Sequence, residues 1–158
     1  MNPPEFFEDF EIGASRLTPA RTITEADIVF HAGHSGDFMP HHTDAEFCKS
    51  QPFEKIIAHG TMTFAIAIGL TVSSQPLNPN GMSYGYNKIR YPRPVFAGDT
   101  IKVKVSVLSK EDHPKQLDHG IVVEAKEVIN QNGEVVMYAE HLIIVKKKTE
   151  THDSHAQK

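Results

Sequence analysis

The chain has 158 residues, a formal charge of −4 and one cysteine, Cys48. That length suits a single domain able to bury a core unaided, and one cysteine excludes an internal disulfide framework. Lys+Arg is 16 against Asp+Glu 20, unlike the basic footprint of a nucleic-acid binder, and 39% hydrophobic with 23% charged residues fits a soluble globular protein. The N-terminus is acidic and lacks the regions of a signal peptide, and no apolar run reaches the ~18 residues of a membrane span. A cytoplasmic protein with no nucleic-acid and no membrane partner is expected. The composition also includes 10 histidines.

In chain order, residues 1–13 read as a leading segment that Phe6, Phe7, Phe10 and Ile12 anchor to a body. Residues 16–23 form a short extended stretch. Thr24-Glu25-Ala26-Asp27 is a capping box, with Ile23 and Ile28 placed as a hydrophobic staple, and it opens a helix over about 25–32 that Gly33 ends. Residues 33–42 hold two glycines and a proline and read as a loop. Thr43-Asp44-Ala45-Glu46 is a second capping box, which places His42 just before a helix N-terminus. Residues 60–74 are apolar nearly all round, which predicts a buried helix of about 22 Å wrapped by a sheet. Strands follow at 82–91, from Ile101 with a period of two, at 120–129 and at 134–146, with Asn132-Gly133 as a hairpin turn. This order, helical first half and then an antiparallel meander, defines an α+β domain, with one sheet curled around one helix over residues 1–148. Residues 149–158 read as a disordered polar tail.

Chemistry concentrates in two segments. Asp37 and His42 lie five positions apart in a loop stiffened by Pro40, and a carboxylate and an imidazole facing one water can share its proton. The positive end of the helix after His42 should disfavour its imidazolium. Gly60, preceded by His59, opens the apolar helix and offers an unpaired N–H to a carbonyl oxygen that gains charge.

Gly36-Asp37-Phe38-Met39-Pro40-His41-His42, then His59-Gly60, then Tyr91-Pro92-Arg93-Pro94-Val95-Phe96-Ala97-Gly98-Asp99 occur in an order that resembles the MaoC-like dehydratase family, the R-specific enoyl-CoA hydratases. The resemblance covers about residues 8–146. It implies a hot-dog fold, a homodimer or higher homo-oligomer with the site between subunits, and hydration or dehydration of a 2-enoyl-CoA or acyl-carrier-protein thioester to an R-3-hydroxyacyl thioester. It further implies Asp37 and His42 as water-activating residues and Gly60 as the carbonyl holder. No metal and no cofactor is implied beyond the coenzyme A of the substrate. Met39 stands where the family has Asn and His41 where an aliphatic residue is usual, so Met39 is a candidate acyl contact. The departure also keeps open a non-catalytic thioester-binding protein or the partner subunit of a heteromeric dehydratase.

His59 and Phe64 are further substrate-binding candidates. So are Arg90 and Arg93, which with Lys88 form a basic group suited to substrate phosphates. His31, His34, His41, His42 and His59 do not match zinc-ligand spacing, and Gly33-His34-Ser35-Gly36-Asp37 fails the serine nucleophile elbow. Cys48 reads as a small buried hydrophobe.

Overall fold

A computed structural model describes residues 3–149, so the tail expected from 149 lies almost wholly outside the described residues. The elements are β1 (Ser15–Leu17), β2 (Arg21–Thr22), α1 (Glu25–Ser35), α2 (Pro40–Thr43), α3 (Ala45–Cys48), α4 (Gly60–Ser73), β3 (Gly81–Arg90), β4 (Thr100–Asp112), β5 (His119–Ile129) and β6 (Val135–Lys146). The strands form one antiparallel sheet in the order β1-β4-β5-β6-β3, with β2 also paired to β4. This is a hot-dog arrangement, one long helix against one antiparallel sheet.

The period of two in β4 buries Ile101, Val103, Val105 and Val107 on one face. Ile101, Val103 and Val105 join Met62 and Ala67 of α4, Val128 of β5, and Val136, Met137 and Ala139 of β6 in the main core. The leading segment closes a smaller cluster, where Phe10 packs with Val107, Val122 and Val145 and Phe7 lies alongside. Ile12, also expected as an anchor, is 64% exposed.

Three local expectations are corrected. Helix α1 runs through Gly33 to Ser35 and is capped by Gly36 at φ 77°, because an interior glycine is tolerated while a left-handed cap needs one. The residue that caps α3 is Asp44, whose carboxylate accepts from the Phe47 N–H at 2.9 Å; the Thr43 hydroxyl instead donates to Phe38 O and Met39 O. His42 therefore lies inside the single turn of α2, and the helix-end argument for its charge does not apply. Nor is α4 buried all round: Thr63, Ala67 and Thr71 face the sheet, whereas Val72 is 62% exposed, because one sheet covers one side of a helix. The capping box at Thr24 and Asp27 forms with both reciprocal bonds, and Ile23 and Ile28 are buried beside it.

Candidate active site

The site is assembled where the loop after α1 meets the start of α4. Ile57 N–H donates to His41 O at 3.1 Å, and Ala58 N–H donates to Val95 O at 2.7 Å. These bonds tie the approach to α4 to α2 on one side and to the 92–99 turn on the other. The turn is closed by Asp99, whose carboxylate accepts from the Phe96 N–H at 2.8 Å. Gly60 is the first residue of α4, so its N–H has no acceptor within the helix. The Tyr91 ring lies over it, 3.0 Å from where a Cβ would stand, so any larger residue would have to push the ring aside.

Three histidine rings meet at this junction. The His42 and His59 rings lie 3.8 Å apart, centroid to centroid, and His31 lies 4.8 Å from His59. Backbone carbonyls select the tautomers. His42 Nδ1 is 2.8 Å from Ile57 O; a carbonyl only accepts, so Nδ1 carries the hydrogen and Nε2 keeps a lone pair. His59 Nε2 is likewise 2.9 Å from Asp37 O and donates to it, leaving Nδ1 buried without a hydrogen-bond partner among the described residues. His31 Nε2 pairs with Thr61 Oγ1 at 2.9 Å, and burial, followed by repulsion from His59, lowers its pKa.

One Asp37 carboxylate oxygen and one ring nitrogen each of His42 and His59 lie within 4.8 Å of one another. Two rings whose planes differ by 25° and which stack face to face do not aim in-plane lone pairs at a point ~2.1 Å from both, as a metal requires. The trio fits proton transfer better than metal ligation.

The remaining candidates scatter. His59 is 1% exposed, so it braces Asp37 and His42 from behind instead of facing a substrate. Met39 is 55% exposed, and its backbone N–H donates to Asp37 Oδ1 at 3.2 Å, orienting the carboxylate with a group that any side chain at this position would supply. Phe64 turns edge-on to Tyr86 and packs against the core. Of the basic three, Lys88 pairs with Glu140 at 2.8 Å, and Arg90 donates to Ile89 O. Arg93 alone of the three lines a cavity with His42 and Gly60. Cys48 is buried and donates weakly to Pro40 O and His41 O, holding α2 against α3; burial raises its pKa. Spacing gave no sign that His31 packs against His59.

The fold is a hot-dog domain with an acid and two imidazoles gathered at the start of its long helix, and comparison with known proteins names the family. Residues 9–131 match the family described as MaoC like domain, and the chain belongs to this family of MaoC-like dehydratases. Protein MaoC of Klebsiella aerogenes is 38% identical over 106 residues, which cover 67% of this chain and 31% of that protein. Beta-methylmalyl-CoA dehydratase of Chloroflexus aurantiacus is 30% identical over 149 residues, 93% of this chain and 42% of that protein. The chain thus spans less than half the length of either. The (R)-specific enoyl-CoA hydratase of Rhodospirillum rubrum is 32% identical over 102 residues, covering 65% of this chain and 69% of that enzyme. A solved Archaeoglobus structure, described as a monoamine oxidase regulatory protein, superposes with a TM-score of 0.85 at 36% identity, covering 94% of this chain and 98% of its own. The MaoC-like dehydratase structure from Rhodospirillum rubrum gives 0.82 at 29% identity, covering 91% and 98%.

Proposed function

We propose that the chain adds water to a 2-enoyl thioester, or removes it from the R-3-hydroxyacyl thioester. The observation that carries this reading is the meeting of His42 with Asp37: a His42 ring nitrogen and an Asp37 carboxylate oxygen lie within 4.8 Å of each other, and the bond of Nδ1–H to Ile57 O leaves Nε2 unengaged. Water held between the two loses a proton to them as its oxygen bonds to C3. Charge grows on the thioester oxygen, where Gly60 N–H receives it at the positive end of α4. The proton returns to C2, so one water is added with no redox change and no cofactor beyond the coenzyme A or carrier arm of the substrate. General acid–base action of this kind contributes on the order of 10²–10⁴ in rate.

The same reading takes the working unit to be a homodimer or higher homo-oligomer. The outer strand β3, with Met82 73% and Tyr84 60% exposed, and the bare side of α4 support it.

The test supplies crotonyl-CoA to the purified protein. Loss of the enone absorbance with formation of R-3-hydroxybutyryl-CoA supports the reading. Release of free thiol without hydration indicates a thioesterase. Tight binding of acyl-CoA with no turnover indicates a non-catalytic partner subunit.

A further inference from the structure

The cavity that His42 and Gly60 share has a volume of about 300 Å³, and Thr63, Tyr91, Arg93 and Val136 also line it. Its other walls are apolar. Among the described residues that line it, Arg93 is the one that carries a permanent charge. Its side chain is 51% exposed, and its own surroundings occupy part of its fork. Nε lies 3.2 Å from Glu134 Oε1, and Nη1 donates to Val135 O at 3.4 Å. Glu134 is itself fixed by the hairpin turn: its second oxygen accepts from Asn130 Nδ2 at 3.0 Å, and its N–H donates to Asn130 Oδ1 at 3.0 Å. A guanidinium has five N–H groups, so two used leaves three, and the planar fork stays oriented for a second carboxylate.

The phosphates of coenzyme A are the wrong partner for this fork. With the carbonyl on Gly60, the thioester sulfur sits at the same cavity. The pantetheine arm then separates sulfur from phosphate by the length of about five extended residues, ~17 Å. Gly60 and Arg93 instead line one and the same cavity, of about 300 Å³, which sets the fork beside the carbonyl end of the thioester. The arm has another route, since His42 also borders a cavity of about 470 Å³ walled by Ile28, Val29, Ile56 and Phe96.

We infer that Arg93 reads a carboxylate on the acyl group, so that the substrate is a short 2-enoyl thioester carrying a second carboxylate. This rests on the proposed hydration and goes further by naming the acyl class. The chemistry balances: water adds across the double bond, oxygen to C3 and proton to C2, and the carboxylate is unchanged. A carboxylate on C3 repels the incoming oxygen nucleophile, and a guanidinium beside it relieves that repulsion. The same cation makes an uncharged acyl group the poorer ligand, because the N–H groups that Glu134 and Val135 O leave over then gain no second carboxylate.

The experiment compares fumaryl-CoA with crotonyl-CoA, which differ by a carboxylate in place of a methyl group on C3. Binding of succinyl-CoA, butyryl-CoA and free coenzyme A is measured alongside. Wild type is expected to prefer fumaryl-CoA in kcat/KM by about 30-fold or more, the scale of a charge-assisted fork contact. Arg93→Gln brings the ratio to near unity, Arg93→Lys falls between, and the advantage of succinyl-CoA over butyryl-CoA disappears with the ratio. Equal preference in wild type overturns the inference without any variant. So does a ratio that Arg93→Gln leaves unchanged, or an equal loss for free coenzyme A, which assigns Arg93 to the arm. Crotonyl-CoA hydration with no carboxylate preference removes the inference and keeps the hydratase. An Arg93-dependent succinyl-CoA advantage with no hydration of either enoyl thioester does the reverse.

Discussion

Two groups of ionisable side chains lie along α4, and they are built on opposite plans. At its start, Asp37, His42 and His59 meet with no ion pair; backbone carbonyls hold the rings, and nitrogen lone pairs are left over. Beneath its far half the sheet turns charges inward. Lys126 Nζ lies 2.9 Å from Glu124 Oε2, with side chains 1% and 10% exposed, and Arg16 bonds Ser74 Oγ and Thr71 O of the helix. His141 sits opposite Glu124 in the sheet, stacked on Tyr86 at 4.3 Å. Burial pulls the Lys126 pKa down while Glu124 pulls it up. The contrast separates two uses of buried polarity. Charges that neutralise one another inside a domain hold it in one arrangement, whereas rings held by backbone carbonyls keep a nitrogen available to move a proton.

The largest effect expected is on rate. His42→Gln, which keeps the volume but loses the Nε2 lone pair, should lower hydration by about 10²–10⁴-fold, read as kcat/KM on crotonyl-CoA, with little change in melting temperature. Lys126→Met should do the opposite. It strands Glu124 in the interior and costs about 3–5 kcal/mol in denaturant unfolding, whereas the double variant Glu124→Leu with Lys126→Met restores most of it. Loss of activity at equal stability from Lys126→Met would erase the distinction between the two groups. Gly60→Ala sets a Cβ 3.0 Å from the Tyr91 ring and should cost about 1–3 kcal/mol of stability, together with hydration rate.

A pH titration sharpens the comparison further. Burial, followed by the charge of Lys126, holds His141 down from 6.5 to about 3. The unfolded chain accepts a proton that the folded protein refuses, so the stability tied to this group is full above about pH 6.5 and is lost progressively as pH falls toward 3. His141→Gln should flatten that part of the curve; an unchanged slope in urea midpoints across that range would remove His141 from the group. The smallest effect expected lies outside both groups: Thr24→Ala, which deletes the α1 cap, should cost about 1 kcal/mol.

Much of this was legible in residue order. The alternation of Ile101, Val103, Val105 and Val107 marks β4 because a half-buried strand must alternate. The apolar run after Gly60 marks α4 and places a free N–H at its start. What the sequence conceals is long-range. His31, His42 and His59 stand 28 positions apart from first to last, and only the bonds to Ile57 O and Asp37 O show which nitrogen of each ring is free. Thr43 and Asp44 are both good caps, and tertiary contacts decide between them. Glu124 and Lys126 alternate with apolar neighbours as surface charges do, and the face the sheet presents to α4 decides their burial. Arg93 looked like one of three basic residues until Lys88 and Arg90 found partners elsewhere.

The central claim is that Asp37 acts with His42 on water at the start of α4. Crotonyl-CoA is incubated in heavy-oxygen water with the wild-type protein and with Asp37→Asn, and the product is analysed by mass spectrometry. The expected result is heavy oxygen on C3 of R-3-hydroxybutyryl-CoA with the wild type, and a rate lower by about 10²–10⁴-fold with Asp37→Asn at unchanged circular dichroism. Equal rates of labelling by the two proteins would contradict it.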